Sequence, residues 1–390
     1  MAISGVLKAI SGAALAAIFG ATVADAEPDA VDTRIAPEWA APHLRAYDFW
    51  IGEWSNNWRG YAPGQFHHAL EGAAYRHWVF PALSGKILIE LAASVEPAAA
   101  GPWAGKRYYG MSVRYYDPAK ERWVMAQHWP GNVPTPAFLS QLQGFEQFGR
   151  VQVFVTGQPD DEGVSRTTRY TFSDIRDGAF RWDGASTTDG RVWRQGSIAE
   201  FTRMYKTISW PEKGAPFLTF GEGEICPEPE HRDFDFLEGS WTGEVEIMGE
   251  GAYPVSMAGY RVLGGCGVFT ILSMDQDGER SAVFTAFGYS PERGEWTVLR
   301  IDDRPGTPHA YSFGDIENGR GEIVRDDRFR IADELKPIFA PSNETDRDSA
   351  LVKSVWLEAG EARFVVERHI RDRADQDWRR ASRLVMSRAN

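Results

Sequence analysis

The chain is predicted to be all-β, two antiparallel barrels in tandem, and three observations carry that expectation. An eight-residue stretch occurs twice, as YDFWIGEW at 47–54 and FDFLEGSW at 234–241. Further landmarks follow each copy in the same order, as a tandem duplication requires: Tyr75-Arg76 with Tyr260-Arg261, Tyr116 and Trp123 with Tyr289 and Trp296, and Trp193 and Arg203 with Trp378 and Arg388. Between these landmarks lie short apolar or alternating runs bounded by Gly, Asp and Pro. That is the pattern of hairpin-linked strands, and closing such a sheet into a barrel removes its exposed edges.

The chain has 390 residues, enough for two or three domains with cores of their own. Aromatic residues make up 13% and charged residues 25%, the composition of a globular chain. A formal charge of -13 argues against a nucleic-acid partner, because phosphate binding draws on Lys and Arg.

Residues 1–26 read as a secretory signal. Lys8 precedes the run AISGAALAAIFGATV, and Ala24-Asp25-Ala26 forms a small-x-small cleavage site. The alternative is an N-terminal membrane anchor, and no later stretch is apolar enough to span a bilayer. Export predicts a periplasmic or secreted protein. In such a compartment Cys226 and Cys266 are expected to form a disulfide closing a loop of about 40 residues, the alternative being two separate buried thiols.

Residues 27–46 carry Pro28, Pro37 and Pro42 and read as an extended lead-in to the first barrel, 47–205. VQVFVTG, TTRYTFSDI, AFRWDGAS and RQGSIAEFTR supply its later strands. A Pro- and Gly-rich linker, 206–233, leads to the second barrel, 234–390, with SAVFTAFGYS, EWTVLRI, ALVKSVWLE, ARFVVERHI and RRASRLVMS. At each opening motif, a Gly lets the backbone pass closely and the Trp two residues on can plug the barrel floor. A cation from the last strand can then lie across that indole. The expected closure pairs are Trp54 with Arg203 and Trp241 with Arg388, in a structural role.

These residues resemble the lipocalin-like, or calycin, barrels. FDFxxGxW, Y-[DS]-P-x4-W and TFSDIRDGAFRWDGASTTDGRVW are similar to a bacterial lipocalin-like family of unknown function, over about 47–204 and 234–389. The resemblance implies the fold and an exported location, with no established chemistry. The second copy departs further, with Leu237 where the first has Trp50. LEGSWTGEVEIMGEGAYP, 237–254, is similar to the opening of haem-binding nitrobindin-like barrels. Those ligate iron through a His on the final strand, and Trp378 to Arg388 contains none, so no haem or other cofactor is expected.

Period-two alternation on the last strand assigns faces. With Trp193 and Arg203 inward, Gln195, Ser197, Ala199 and Phe201 point inward too. The matching set in the second copy is Trp378, Arg380, Ser382, Leu384, Met386 and Arg388. An interior that is apolar at the floor and polar at the mouth suits a small hydrophobic or aromatic ligand, whereas a barrel of eight strands can also fill itself with side chains.

Four histidines, His67, His68, His77 and His128, cluster in the first copy beside Tyr75, Gln127 and Trp129. His77 or His128 could serve as acid or base with Tyr75 or Gln127 as polariser. Tyr75, His77, Gln127, Trp129, Gln195, Ser197 and Phe201 are the expected ligand-binding set, and adjacent His67-His68 makes a poor metal pair, so no metal site is expected. Three functions remain open: a binding protein, a cofactor-independent isomerase, lyase or hydrolase, and a structural or interaction module.

Overall fold

The computed structural model describes residues 45–61, 69–70, 74–97, 104–117, 121–129, 142–147, 149–156, 163–206, 226, 228–276, 278–291, 294–303, 310–317, 320–325, 351–371 and 377–389. The signal and nearly all of the lead-in lie outside them, as do His67, His68 and most of the linker.

The chain is all-β, in two barrel-like units of antiparallel strands. The first contains β1 (Gly52–Tyr61), β2 (Ala69–Leu70), β3 (Ala74–Ala82), β4 (Ile87–Ser94), β5 (Tyr109–Asp117) and β6 (Arg122–His128). It continues with β7 (Leu142–Gln147), β8 (Arg150–Thr156), β9 (Thr167–Arg176), β10 (Ala179–Thr187) and β11 (Arg194–Tyr205). Each strand from β3 onward pairs with the next, and β1 pairs with both β3 and β11, closing the ring; β2 is a short addition on β1.

The second unit runs from β12 (Gly239–Ile247) through β13 (Gly251–Val262), β14 (Gly267–Gln276), β15 (Glu279–Ser290) and β16 (Glu295–Asp302). It ends with β17 (Ala310–Glu317), β18 (Arg320–Arg325), β19 (Leu351–Ala359), β20 (Arg363–Arg371) and β21 (Arg379–Arg388), and β21 pairs with β12. Among the described residues each ring therefore holds ten strands, where the expectation weighed a barrel of eight. The sequence reading named β8, as its VQVFVTG run, but neither β7 nor the β17–β18 hairpin.

Both rings close in the same way. A single 3₁₀ turn, Asp48–Trp50 or Asp235–Leu237, precedes the first strand and packs into the barrel end. Trp54 Nε1 donates to the Trp50 carbonyl at 2.7 Å, and Trp241 Nε1 to the Leu237 carbonyl at 3.0 Å. Arg203 lies over the Trp54 indole at 4.3 Å and donates to the Ile51 and Phe49 carbonyls. Arg388 lies over Trp241 at 4.4 Å and donates to the Glu238 and Glu361 carbonyls. Gly52 has φ +132, and a Cβ there would meet the Tyr205 carbonyl at 2.5 Å, so the closure needs a residue without a side chain.

Among the described residues, the largest apolar cluster lies between the units. Trp78, Phe80, Ile87, Ile89, Met111 and Val113 pack with Val262, Phe269, Phe284 and Leu299. The opposite faces of the same strands line the barrel interiors, with Val79, Leu88 and Met125 in the first and Met257, Val268 and Phe287 in the second. Strands buried on both faces need apolar side chains at successive positions, which is why β4 reads ILIELAAS without alternation. Cys226 and Cys266 are joined by a disulfide at this junction, with both residues in the shared cluster.

Among the described residues, no helix is long and apolar enough to cross a membrane.

Candidate functional site

Four buried polar side chains meet on the inner wall of the first barrel. His77 on β3, Glu90 on β4, and Ser112 and Arg114 on β5 are all buried. Alternation brings them together: His77 follows Val79 on the inner face, Glu90 follows Leu88, and Glu90 stands directly opposite Ser112 in the ladder.

Glu90 is the hub. Its Oε1 lies 2.7 Å from His77 Nδ1, while Oε2 accepts from Ser112 Oγ at 3.1 Å and Arg114 Nη2 at 2.6 Å. Burial pushes the Glu90 carboxyl upward, but the Arg114 charge and the His77 hydrogen bond outweigh it and hold it down at about 2. An ionised carboxylate only accepts, so the His77 nitrogen facing it carries a proton. That leaves Nε2 as the atom directed away from the hub, and it is buried with no hydrogen-bond partner in the protein.

Aromatic rings enclose the set. The Arg114 guanidinium lies 5.5 Å from the Tyr47 ring and 5.3 Å from that of Trp50, in cation–π range. Trp50 also meets His77 at 6.1 Å edge-on, and Phe201 meets His77 at 5.0 Å. Burial raises the Tyr47 hydroxyl above its ordinary range against the opposing effect of Arg114, so the phenol stays protonated. Tyr75, next on the inner face of β3, is pushed up to about 12 by burial and by Tyr108.

The expected ligand set divides. Tyr75, His77, Gln127, Trp129, Ser197 and Phe201 share the inner face: Gln127 is paired with Ser112, Tyr75 lies 6.4 Å from Trp129, and Ser197 is paired with Gly184 beside Tyr170. Trp129 lies flat over Gly110, where a Cβ would meet the indole at 2.3 Å.

Gln195 does not belong with them. A bulge in β11 pairs Gly184 with Ser197 but Ala185 with Gln195, so the face switches at Gly196. Trp193 accordingly lies outside, with Arg169 over its ring at 4.5 Å and Phe154 at 6.4 Å. The same bulge recurs in β21, where Arg368 pairs with Ser382 but His369 with Arg380. Trp378 and Arg380 are therefore also outside, Trp378 under Arg371 and Arg380 against Glu367.

His128 is also misplaced by the expectation of a barrel-mouth base. It follows Val124 and Ala126 on the outer face of β6, against the second barrel. Burial, with a smaller contribution from His231, pushes it down to about 3, so it sits in the junction as a neutral imidazole.

Sequence reasoning named His77 as a candidate but not Glu90, Ser112, Arg114, Tyr47 or Trp50. The available signal was a single charge in each of two apolar strands, Glu90 in ILIELAAS and Arg114 in GMSVRYY.

The second barrel supplies an internal comparison. Its Trp241 pairs with Met257 as Trp54 pairs with His77. Following the ladders from there, Thr270 stands where Glu90 does, Thr285 where Ser112 does and Phe287 where Arg114 does. Phe234 and Leu237 replace Tyr47 and Trp50, and Phe234 meets Phe287 at 4.5 Å where the first barrel sets Tyr47 against Arg114.

No family model matches the chain, and no curated protein matches it. Among solved structures it is similar to the crystal structure of a DUF3598-family protein of unknown function from Nostoc punctiforme. That comparison has 9% identity and a TM-score of 0.24, covering 89% of this chain and 99% of the other.

Proposed function

We propose that the first barrel is a lipocalin-like binding module for a small hydrophobic or aromatic molecule, held by an apolar body and oriented by the His77–Glu90–Arg114 set. The observation that carries this reading is the comparison within the chain. The second barrel keeps the same closure with Met257, Thr270, Thr285 and Phe287 at the four positions, so the fold does not require a buried charge network. Buried ion pairs are weak contributors to stability relative to apolar packing, and their retention in one copy alone favours a role in recognition. The protein is exported to the periplasm or beyond on this reading, which the Cys226–Cys266 disulfide supports. No cofactor is assigned.

The test is extraction. Full-length protein purified from its native host is denatured and its small molecules are identified by mass spectrometry, beside an Arg114→Phe variant. A molecule retained by the wild type and lost from the folded variant supports binding; identical extracts from the two would defeat it.

A second reading rests on a specific contact. His77 Nδ1 anchored on a carboxylate at 2.7 Å, with Nε2 left without a hydrogen-bond partner, is the arrangement that orients a general base. This cofactor-independent enzyme reading predicts conversion of the extracted molecule by purified protein, abolished in folded His77→Gln.

A further inference from the structure

We infer that the polar end of the molecule held in the first barrel is a neutral hydroxyl, phenolic or enolic, that donates a hydrogen bond to His77 Nε2. This rests on the binding reading above and names its ligand class.

Three observations combine. Glu90 already accepts from His77, Ser112 and Arg114, so most of its roughly four acceptor sites are taken within the protein. The carboxylate also fixes the protonated ring nitrogen as Nδ1, so in a neutral imidazole Nε2 offers a buried lone pair with no partner in the protein. A buried acceptor left unmatched is costly, and the group that matches it is a donor.

Charge balance separates a hydroxyl from an anion. The titratable groups around His77 are Glu90, Arg114, Tyr47 and Tyr75. One carboxylate faces one guanidinium, and the two phenols are neutral. Glu90 and Arg114 thus balance each other, and a carboxylate ligand would add a buried charge that this pair does not compensate. Arg114 is bonded to Glu90 through Nη2 and lies over Tyr47 and Trp50, while its Nε and Nη1 are buried without a hydrogen-bond partner, and a hydroxyl oxygen, which accepts as well as donates, suits these donors as well as His77 Nε2. Edge-on rings of Trp50 and Phe201 flank the imidazole, so a planar aromatic body suits the surface beside the acceptor.

Three probes of one shape test this on the full-length protein: naphthalene, 2-naphthol and 2-naphthoate, followed by tryptophan quenching at about pH 7, where the naphthol is neutral. The expected result is 2-naphthol bound about tenfold or more tighter than either of the others, the effect of one matched buried hydrogen bond. His77→Phe should bring 2-naphthol down to the level of naphthalene. Equal binding of naphthol and naphthalene to the wild type overturns the inference, as does tighter binding of naphthoate, which would transfer recognition to Arg114. Failure of all three probes to bind overturns the binding reading beneath it. If His77→Phe does not fold, the wild-type ranking decides, with His77→Gln as the second variant.

Discussion

His77 and Glu90 are joined across the β3–β4 hairpin by a 2.7 Å contact inside the first barrel, and both residues are buried. That pair, with Arg114, sets the pH response of the interior. Glu90 is held down at about 2 in the fold against an ordinary value near 4.5. A depressed carboxyl contributes stability that is present above the unfolded value and lost as pH falls through the folded one. Thermal stability of the wild type should therefore fall between pH 4.5 and 2, with Glu90 accounting for about 3 kcal/mol of the loss. Glu90→Gln should flatten the profile in that window.

The same substitution at neutral pH leaves Arg114 buried without its counter-charge. Removing one partner of a buried pair costs about 3 to 5 kcal/mol. Glu90→Gln should therefore melt well below the wild type near neutrality, whereas the double variant Glu90→Thr with Arg114→Phe, which installs the second barrel's residues, should recover part of the loss. Chemical denaturation of the three proteins measures both effects.

His128 responds at a higher pH and in a different place. It is neutral in the junction, lowered to about 3 from 6.5, so the unfolded chain binds a proton first as pH falls. Stability is lost from about 6.5 downward toward 3. His128→Gln should remove that part of the acid sensitivity while leaving the Glu90 window intact, a separation that pH-dependent melting curves would reveal.

Reduction of the Cys226–Cys266 disulfide releases a loop with a sequence separation of 40 and frees the segment that ends at the junction. The expected loss is roughly 3 to 4 kcal/mol on the loop-entropy account. Cys226→Ser with Cys266→Ser should lower the melting temperature and expose the apolar junction to hydrophobic dyes. An unchanged melt would show that the shared apolar cluster holds the units together by itself.

Arg203→Ala and Arg388→Ala each remove an indole-stacked cation and its carbonyl hydrogen bonds. A loss of about 2 to 4 kcal/mol is expected for each. Lysine in place of Arg203 should restore only part, because an ammonium cannot spread over the indole while reaching both Ile51 and Phe49. Urea titration of the single variants checks the order.

The architecture was written locally and repeatedly in the chain. A Gly-x-Trp opening, hairpin-spaced strands and a terminal Arg occur twice, and each depends on backbone period and on residue types that tolerate few alternatives. The interior chemistry was not legible in that way. His77, Glu90 and Arg114 come from three strands, and which face each side chain takes depends on register and on bulges that a period-two count cannot detect. The bulge at Gly196 moved Trp193 and Gln195 outward, and the packing of one barrel on the other placed His128 in a junction rather than at a mouth. The sequence by itself determined two all-β barrels and the residues that close them, because those signals are short-range. Only the tertiary structure decided which polar side chains meet in the first interior and that the second replaces them with apolar and hydroxyl side chains. The reason is that a side chain's face and neighbours are set by pairing partners far away in the chain.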